Sequence, residues 1–403
     1  MLGGDNRGND VGMKSCMVVY SYYPLDLRVR KEARALVAKG HTVDVICLRD
    51  EGQSREEVMD GASIHRLSLS MRKGGYLTYG YQYITFLLMS FAMLTKLFLK
   101  LKHNVIHVHS LPDFQVFIAL VPKLYGKKIV LDLHEAMPEI FAARFGVGQD
   151  SWQFRLAALL ETISSWFADR IITVNDTIKD RFVGRGMNPD TISVVMNSPD
   201  ETLRIAKDMS SFSAENDLEG KFVLMYIGGL NPERNIEVLI QATSILKDKI
   251  PIRLFVFGFG KEEYVDELRQ LASRLNVDQE VRFGGWVPQE DVFSYLDLSE
   301  IGIISYVRNP LTDVAVPNKV FEFAALGKPL IIAKLDALEN LFRDSALFYE
   351  PSNAKDLANK ILQLYEDKEL VTDLSGKAQE VYDSCKWDIM KERLYDTYEA
   401  SPE

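Results

Sequence analysis

Three short stretches carry residues whose types and spacing could do chemistry. In Asn309–Ala333 (NPLTDVAVPNKVFEFAALGKPLIIA), Pro317 stands where a helix would begin, Gly327 just past its end and Pro329 at the start of the next strand. The first helical turn then carries Asn318 and Lys319 beside free backbone N–H groups, the setting of an anion site. Glu322 follows Asn318 by four positions and Lys319 by three, so it shares their face. Its carboxylate suits two ribose hydroxyls better than a phosphate. A solvated Lys–Glu pair at a helix start fits the same spacing. In YIGGLNPERNIEVLI, Gly228 and Gly229 follow an apolar strand, and Arg234 stands at the mouth of a helix, where a guanidinium clamps a diphosphate or merely faces solvent.

The third stretch ends strand KKIVLDLHE with His134 and Glu135. Its H-E-x-x-P-E string fails as a zinc motif because Pro138 replaces the second histidine and spoils the helix. His107 and His109 share a strand face, but two ligands without an evident third do not make a metal site, and no Asp-x-Asp pair is present to hold a metal-bound diphosphate. No metal is therefore expected. Arg28, in the first strand–helix loop, can approach phosphate or acceptor, or stay a surface residue.

These residues need elements to position them. Apolar strands at Ser15–Ser21, Thr42–Leu48, Val105–Val108, Lys128–Leu133 and Arg170–Val174 alternate with helices at Val29–Lys39, near Phe114–Tyr125 and over about Asp150–Ala168. A second cycle runs through strands Phe222–Ile227, Arg253–Phe257, Val281–Phe283, Ile301–Ile304 and Pro329–Ala333, with helices Asn235–Lys247, Glu262–Leu275 and Pro317–Leu326. Such alternation predicts an α/β chain of two doubly wound parallel sheets. Ligands bind beyond the carboxyl ends of such strands, and two such edges facing each other would make a cleft. The expected division is a disordered leader over 1–13, a first domain over 14–200, a second over 201–385, and a final helix within 386–403 that crosses back to the first.

Composition narrows the classes. The 403 residues are 47% hydrophobic and 26% charged, which suits a globular protein of two domains. A net charge of −10 argues against a nucleic-acid partner. Cys16, Cys47 and Cys385 are too few and scattered for a disulfide framework, which favours a reducing compartment.

Taken together, P-N-K-V-F-E-F-A-A-L-G-K-P-L-I-I, GG-L-x3-R-N-I-E-x-L-I, R-V-R-K-E-A-R-A-L-V-A-K-G-H-T-V-D-V and D-L-H-E-x2-P-E resemble the retaining glycosyltransferases of family four. The resemblance implies a GT-B fold of two Rossmann-like domains facing across a cleft, an NDP-sugar donor, no metal, and retention of configuration. It implies that His134 touches the donor sugar; Glu135 beside it is, like Arg28, a candidate phosphate or acceptor contact. Arg234 and Lys319 would stabilise the leaving diphosphate, and Gly228, Gly229, Asp313, Asn318 and Glu322 would line the donor site. The chain departs from the family in two places. Gly229 stands where an Arg is frequent, and Val314 where the first of two paired glutamates is expected, with Asp313 next to it.

Between Asp60 and Asp113 no acidic residue occurs, while Arg66, Arg72, Lys73, Lys96, Lys100 and Lys102 do. The same stretch holds the apolar Tyr83–Lys102, interrupted by Lys96 and Lys100. A helix partly buried and partly resting on an anionic membrane through Arg72, Lys73, Lys96 and Lys100 is expected. A buried core helix and a transmembrane span are the alternatives. The expected protein is thus a cytoplasmic transferase at the inner face of the cell membrane, acting on a glycan or lipid-linked acceptor. The rivals are a sugar-nucleotide epimerase on the same fold, a dinucleotide-dependent oxidoreductase suggested by Gly258-Phe-Gly260, and a nucleotide-sugar-binding protein without activity.

Overall fold

The computed structural model describes residues 12–71, 74–199 and 207–400. Arg72 and Lys73, and most of the expected leader, lie outside the described residues. Two compact units are present: residues 1–196 with 390–403, and residues 197–389.

The first unit is one eight-stranded sheet. Strands β1 (Lys14–Tyr22), β2 (Thr42–Leu48), β3 (Glu56–Met59), β4 (Ala62–Leu67), β5 (Val105–His109), β6 (Lys128–Leu133), β7 (Arg170–Thr173) and β8 (Ile192–Val194) lie in the order β3-β4-β2-β1-β5-β6-β7-β8. All pairings are parallel except that of β3 with β4. Every residue of β5 and β6 is buried, as expected of central strands covered on both faces. The β3–β4 hairpin turns at Asp60 and Gly61, both at positive φ. The helices are α1 (Leu27–Ala38), α2 (Tyr76–Leu101), α3 (Leu120–Leu124), α4 (Met137–Phe145), α5 (Trp152–Phe167) and α6 (Asp176–Gly184). Asp26 caps α1 by accepting from the N–H of Val29, and α3 is preceded by a 3₁₀ segment, Asp113–Ala119. The strand order reverses between β1 and β5, so the switch point lies at the carboxyl ends of these two strands.

Helix α2 settles how the long apolar segment is held. Gln82, Phe86, Ser90, Leu94 and Phe98, each four apart, form one buried stripe. Gln82 accepts from Tyr20 Oη at 3.0 Å, and α2 packs against β1, β2 and β4. The helix therefore lies along the sheet as a crossover, neither fully buried nor free to span a bilayer. Arg66, expected in the basic flank, is 2% exposed and donates to Glu57 Oε2 at 2.6 Å. It belongs to β4 and the β3–β4 hairpin, not to a membrane-facing surface.

The second unit holds strands β9 (Phe222–Ile227), β10 (Ile252–Phe257), β11 (Val281–Gly284), β12 (Gly302–Ile304), β13 (Leu330–Ala333) and β14 (Leu347–Tyr349). They form the parallel triplets β11-β10-β9 and β12-β13-β14, joined by a bridge between Leu224 and Ile301. The resulting order again reverses once, between β9 and β12. The helices are α7 (Ser210–Glu215), α8 (Ile236–Leu246), α9 (Glu262–Arg274), α10 (Val292–Asp297), α11 (Asn318–Ala325), α12 (Asp336–Phe342), α13 (Ala354–Glu366) and α14 (Lys368–Cys385). The last helix, α15 (Trp387–Glu399), joins the first unit from Met390 onward. Tyr395 Oη donates to the Ala35 carbonyl at 2.8 Å, and Tyr398 Oη lies 2.8 Å from His107 Nδ1.

Candidate functional site

In the second unit the carboxyl edge is built from glycine loops. Gly228–Leu230 follows β9, Gly258–Gly260 follows β10, and Gly284–Trp286 closes β11. The loops are laced edge to edge: Gly228 N–H donates to Phe257 O at 3.0 Å, Leu230 N–H to Phe259 O at 2.7 Å, and Gly258 N–H to Gly285 O at 3.0 Å. Gly258 has φ +141, and a Cβ there would stand 1.7 Å from the Gly228 carbonyl oxygen. At Gly260 a Cβ would stand 2.1 Å from Leu230 O. These two glycines, the best support for a dinucleotide fingerprint, are thus used for loop-to-loop packing.

Arg234 sits where this edge reverses. It ends a single 3₁₀ turn, Pro232–Arg234, and Asn235 takes the left-handed conformation before α8 begins. The turn is tied to the segment after β12, because Ser305 Oγ donates to Arg234 O at 2.6 Å and Val307 N–H to Glu233 O at 3.1 Å. The guanidinium lies 4.2 Å from the centre of the Tyr306 ring. Burial lowers the Arg234 pKa, with Tyr226 and Glu233 acting the other way. No side chain in the described structure forms an ion pair with Arg234, so its charge is held by a π face and available to an anion. Tyr226 Oη donates to Gly229 O at 2.8 Å and orders the glycine pair.

Helix α11 starts at Asn318 after Pro317, which has no side chain to cap the first N–H groups. Lys319 Nζ donates to Glu322 Oε2 at 2.5 Å, and Glu322 is 5% exposed. The i,i+3 pair places one cation and one carboxylate together on the first turn. Asp313 lies in the preceding loop, 3.6 Å from Arg308 Nε. Val314 is buried, at 2% exposure, so that position takes part in packing.

In the first unit His134 follows β6, with Glu135 exposed beside it. The His134 side chain is about one-fifth exposed, and its Nε2 lies 3.1 Å from Asp132 Oδ2. The same carboxylate oxygen lies 3.2 Å from His109 Nδ1, and His109 Nδ1 is 3.1 Å from His134 Nε2. The β5–β6 register sets His109 directly opposite Asp132. Burial disfavours charge on His134, but the Asp132 charge and hydrogen bond outweigh it, so its pKa is raised. Burial likewise works against the Asp132 charge, and Arg28 above all holds its pKa well below the ordinary range.

Arg28, expected in a loop near phosphate or acceptor, stands instead on α1 with its guanidinium turned into the unit. Its Nε and Nη2 grip Asp132 at 3.1 and 3.0 Å, Nη1 donates to Val195 O at 2.9 Å, and Nη2 lies 3.1 Å from Glu32 Oε1. At 6% exposure, its donors are spent on this buried network. His107 and His109, which lack an evident third partner in the sequence, gain two in this network. Glu32 and Asp132 join them, with one ligand atom from each of the four within 4.8 Å of the others. Glu32 comes from α1 and Asp132 from β6, so neither is near the histidines in sequence. The charge a cation would bring to these carboxylates is supplied by the Arg28 guanidinium.

Comparison with known proteins decides the family. Residues 26–198 match the Glycosyl transferase 4-like domain, and residues 208–381 match Glycosyl transferases group 1. The chain is a group 1 glycosyltransferase. It is 23% identical to an uncharacterized glycosyltransferase of Methanocaldococcus jannaschii over 97% of this chain and 99% of that one. It is 24% identical to the O-antigen chain mannosyltransferase B of Escherichia coli over 52% of each. Its fold is similar to that of HepE of Anabaena in complex with UDP, with a TM-score of 0.72, 15% identity, and coverage of 96% of this chain and 99% of that one. The fold is GT-B, and the glycosyltransferase acts by sugar transfer in glycan biosynthesis.

Several side chains beside the candidate site residues carry weak sequence signals. Tyr306, under Arg234, follows β12 directly, a place where site residues are expected, but no charge marks it. Asp132 stands two before His134 at the end of β6, a period-two spacing that puts them on one side of the chain. Phe259 and Trp286, 66% and 62% exposed, stand on the glycine loops after β10 and β11.

Proposed function

We propose that the glycosyltransferase moves a sugar from an NDP-sugar to a glycan or lipid-linked acceptor with retention of configuration and without a metal. The observation that carries this reading is Arg234, held on Tyr306 beside the glycine loops at the sheet reversal, in the same unit as Lys319 and Glu322 on the first turn of α11. Two cations and a helix N-terminus suit a diphosphate, and the buried carboxylate suits a ribose. The relative HepE, with its bound UDP, supports the nucleotide class. Departure of the diphosphate breaks the bond at the anomeric carbon and leaves an oxocarbenium-like centre. Arg234, Lys319 and the α11 dipole stabilise the leaving charge. The acceptor hydroxyl bonds on the same face, and its proton passes to the leaving phosphate oxygen. His134, with its raised pKa, is the first unit's substrate-facing residue in this reading.

Three unpaired cysteines accord with a reducing cytoplasm, and a lipid-linked acceptor places the reaction at the inner face of the membrane. The test is transfer from NDP-sugars to lipid-linked and free glycan acceptors in EDTA, with the anomeric configuration of the product read by NMR. Transfer that persists in EDTA with a retained configuration is expected. Activity lost on chelation and restored by Mn²⁺ or Mg²⁺, or donor hydrolysis without transfer, contradicts the proposal.

A further inference from the structure

The first unit carries a broad apolar surface that the donor chemistry does not use. Strands β4, β5, β6 and β7 are joined by successive crossovers in one direction across the sheet, so α2, α3, α4 and α5 lie on one face of it. The outer sides of three of these helices are strongly apolar. On α5, Trp152, Leu156, Leu159, Ile163 and Trp166 recur at steps of four and three and are all exposed, Trp152 at 70% and Trp166 at 69%. On α2, Tyr81, Ile84, Leu88 and Leu99 are exposed opposite its buried stripe, and on α3 so are Leu120 and Leu124. Of the most apolar 18-residue stretch of α2, only 22% is buried. Helices α2 and α5 both pack on the 3₁₀ segment before α3, which makes their outer faces one neighbourhood. Contiguous apolar surface of this extent marks an interaction site.

Charge identifies the partner. Helices α2 to α5 contain two carboxylates, Glu139 and Glu161, and both are buried and paired with Arg185. Their outer faces present Lys96, Lys100 and Arg155, in a chain whose net charge is −10. A second copy of the same face would bring like charges together. An extended anionic surface that is apolar beneath its charge matches both features. The tryptophans at the two ends of the α5 stripe are the residue type that settles at headgroup level.

We infer that α5, together with α2 and α3, is the surface by which this glycosyltransferase docks on an anionic bilayer, with the Trp152–Trp166 stripe entering the headgroup region. The inference rests on the reading of a membrane-borne acceptor and names the surface that reaches it. Cations draw the face to the lipid, and the apolar side chains hold it there after salt has weakened the attraction.

The test uses the full chain with phosphatidylcholine vesicles and with vesicles containing phosphatidylglycerol, at low and high salt. Wild type is expected to sediment with the anionic vesicles and only weakly with the neutral ones. The fluorescence of Trp152 and Trp166 should be quenched by brominated lipid, and in the Trp152→Phe/Trp166→Phe variant that quenching should be lost. The double variant Leu156→Glu/Leu159→Glu alters two exposed positions and should fall about tenfold or more in vesicle partition. Its UDP affinity, melting temperature and circular dichroism should match wild type. Val58→Glu, at an exposed position on β3, should partition as wild type does. Equal sedimentation of the Leu156→Glu/Leu159→Glu variant and wild type overturns the inference. So does absence of sedimentation in every condition, or a wild-type dimer in sedimentation velocity that this variant dissociates. UDP binding measured on the same samples reports separately on the donor reading, so the failure of one is distinguishable from failure of the other.

Discussion

Arg28→Met is the most informative single change in the first unit. Among the described residues, Arg28 is the one permanent cation in contact with Asp132 and Glu32, whose side chains are both 0% exposed. Methionine keeps most of the volume and removes the charge. Asp132 would lose the two guanidinium hydrogen bonds at 3.1 and 3.0 Å and keep only its histidine contacts. Breaking a buried pair by removing one partner costs about 3–5 kcal/mol. The loss should depend on pH. Arg28 now holds the Asp132 pKa well below its ordinary value. Without it the Asp132 pKa rises, and that of Glu32, which burial already holds above its ordinary value with Arg28 in place, rises further above the unfolded value of about 4. A carboxyl with a raised folded pKa loses stability as pH rises from its unfolded to its folded pKa. The gap between variant and wild type should therefore be larger at pH 7.5 than at pH 5. Urea unfolding at both pH values, followed by the circular dichroism of the full chain, measures it. UDP affinity should be unchanged below the unfolding transition. A destabilisation under about 1 kcal/mol, with UDP affinity lost, would refute the buried-network account and return Arg28 to phosphate binding.

Two further outcomes follow from the geometry. Gly258→Ala should disrupt the second unit's loop edge, because its Cβ would meet the Gly228 oxygen at 1.7 Å, whereas Gly40→Ala, also at positive φ but in open space, should cost only about 1 kcal/mol; comparative melting with and without UDP checks the contrast. Asp44 is opposed by burial, but hydrogen bonds from His103 and His65 bring its pKa down to about 2, from 3.8. It therefore contributes about 2 kcal/mol above pH 4, lost as pH falls through about 2, and Asp44→Asn should remove that contribution and flatten unfolding free energy against pH in this window.

The alternation of strands and helices was legible because buried parallel strands are continuous apolar runs, as in Lys128–Leu133 and Phe222–Ile227, whose bounds agree with the structure. The β3–β4 hairpin was missed although Asp60-Gly61 is its turn signal, since Glu56–Met59 is an exposed edge strand with little apolar pattern. The helix expected over about Asp150–Ala168 is α5, capped by Ser151 on Phe154 N–H, while α4 before it, ended by Gly146 in the left-handed conformation, had no counterpart in the expected elements. Lys319 and Glu322 could be placed together from helical spacing, a local property. Glu32 against His107, or Tyr306 under Arg234, depends on strand order and register, which separate the partners widely in sequence. The α5 stripe shows in the sequence as a 3.5-residue period, but an apolar stripe on a crossover helix normally faces the sheet. Only the exposure of Trp152 and Trp166 shows that it faces outward.

The second unit is expected to bind a nucleoside diphosphate through Arg234 and the first turn of α11. Calorimetric titration of wild type, Arg234→Ala and Glu322→Ala with UDP and the other nucleoside diphosphates tests it most directly. Wild type should bind at least one of them, and Glu322→Ala should lose about 1–3 kcal/mol of that affinity, roughly 5- to 150-fold, while melting as wild type does without ligand. Arg234→Ala should lose at least as much, because a charge-assisted clamp on the diphosphate is removed. Undiminished affinity in both variants, or no binding of any nucleoside diphosphate by wild type, would contradict it.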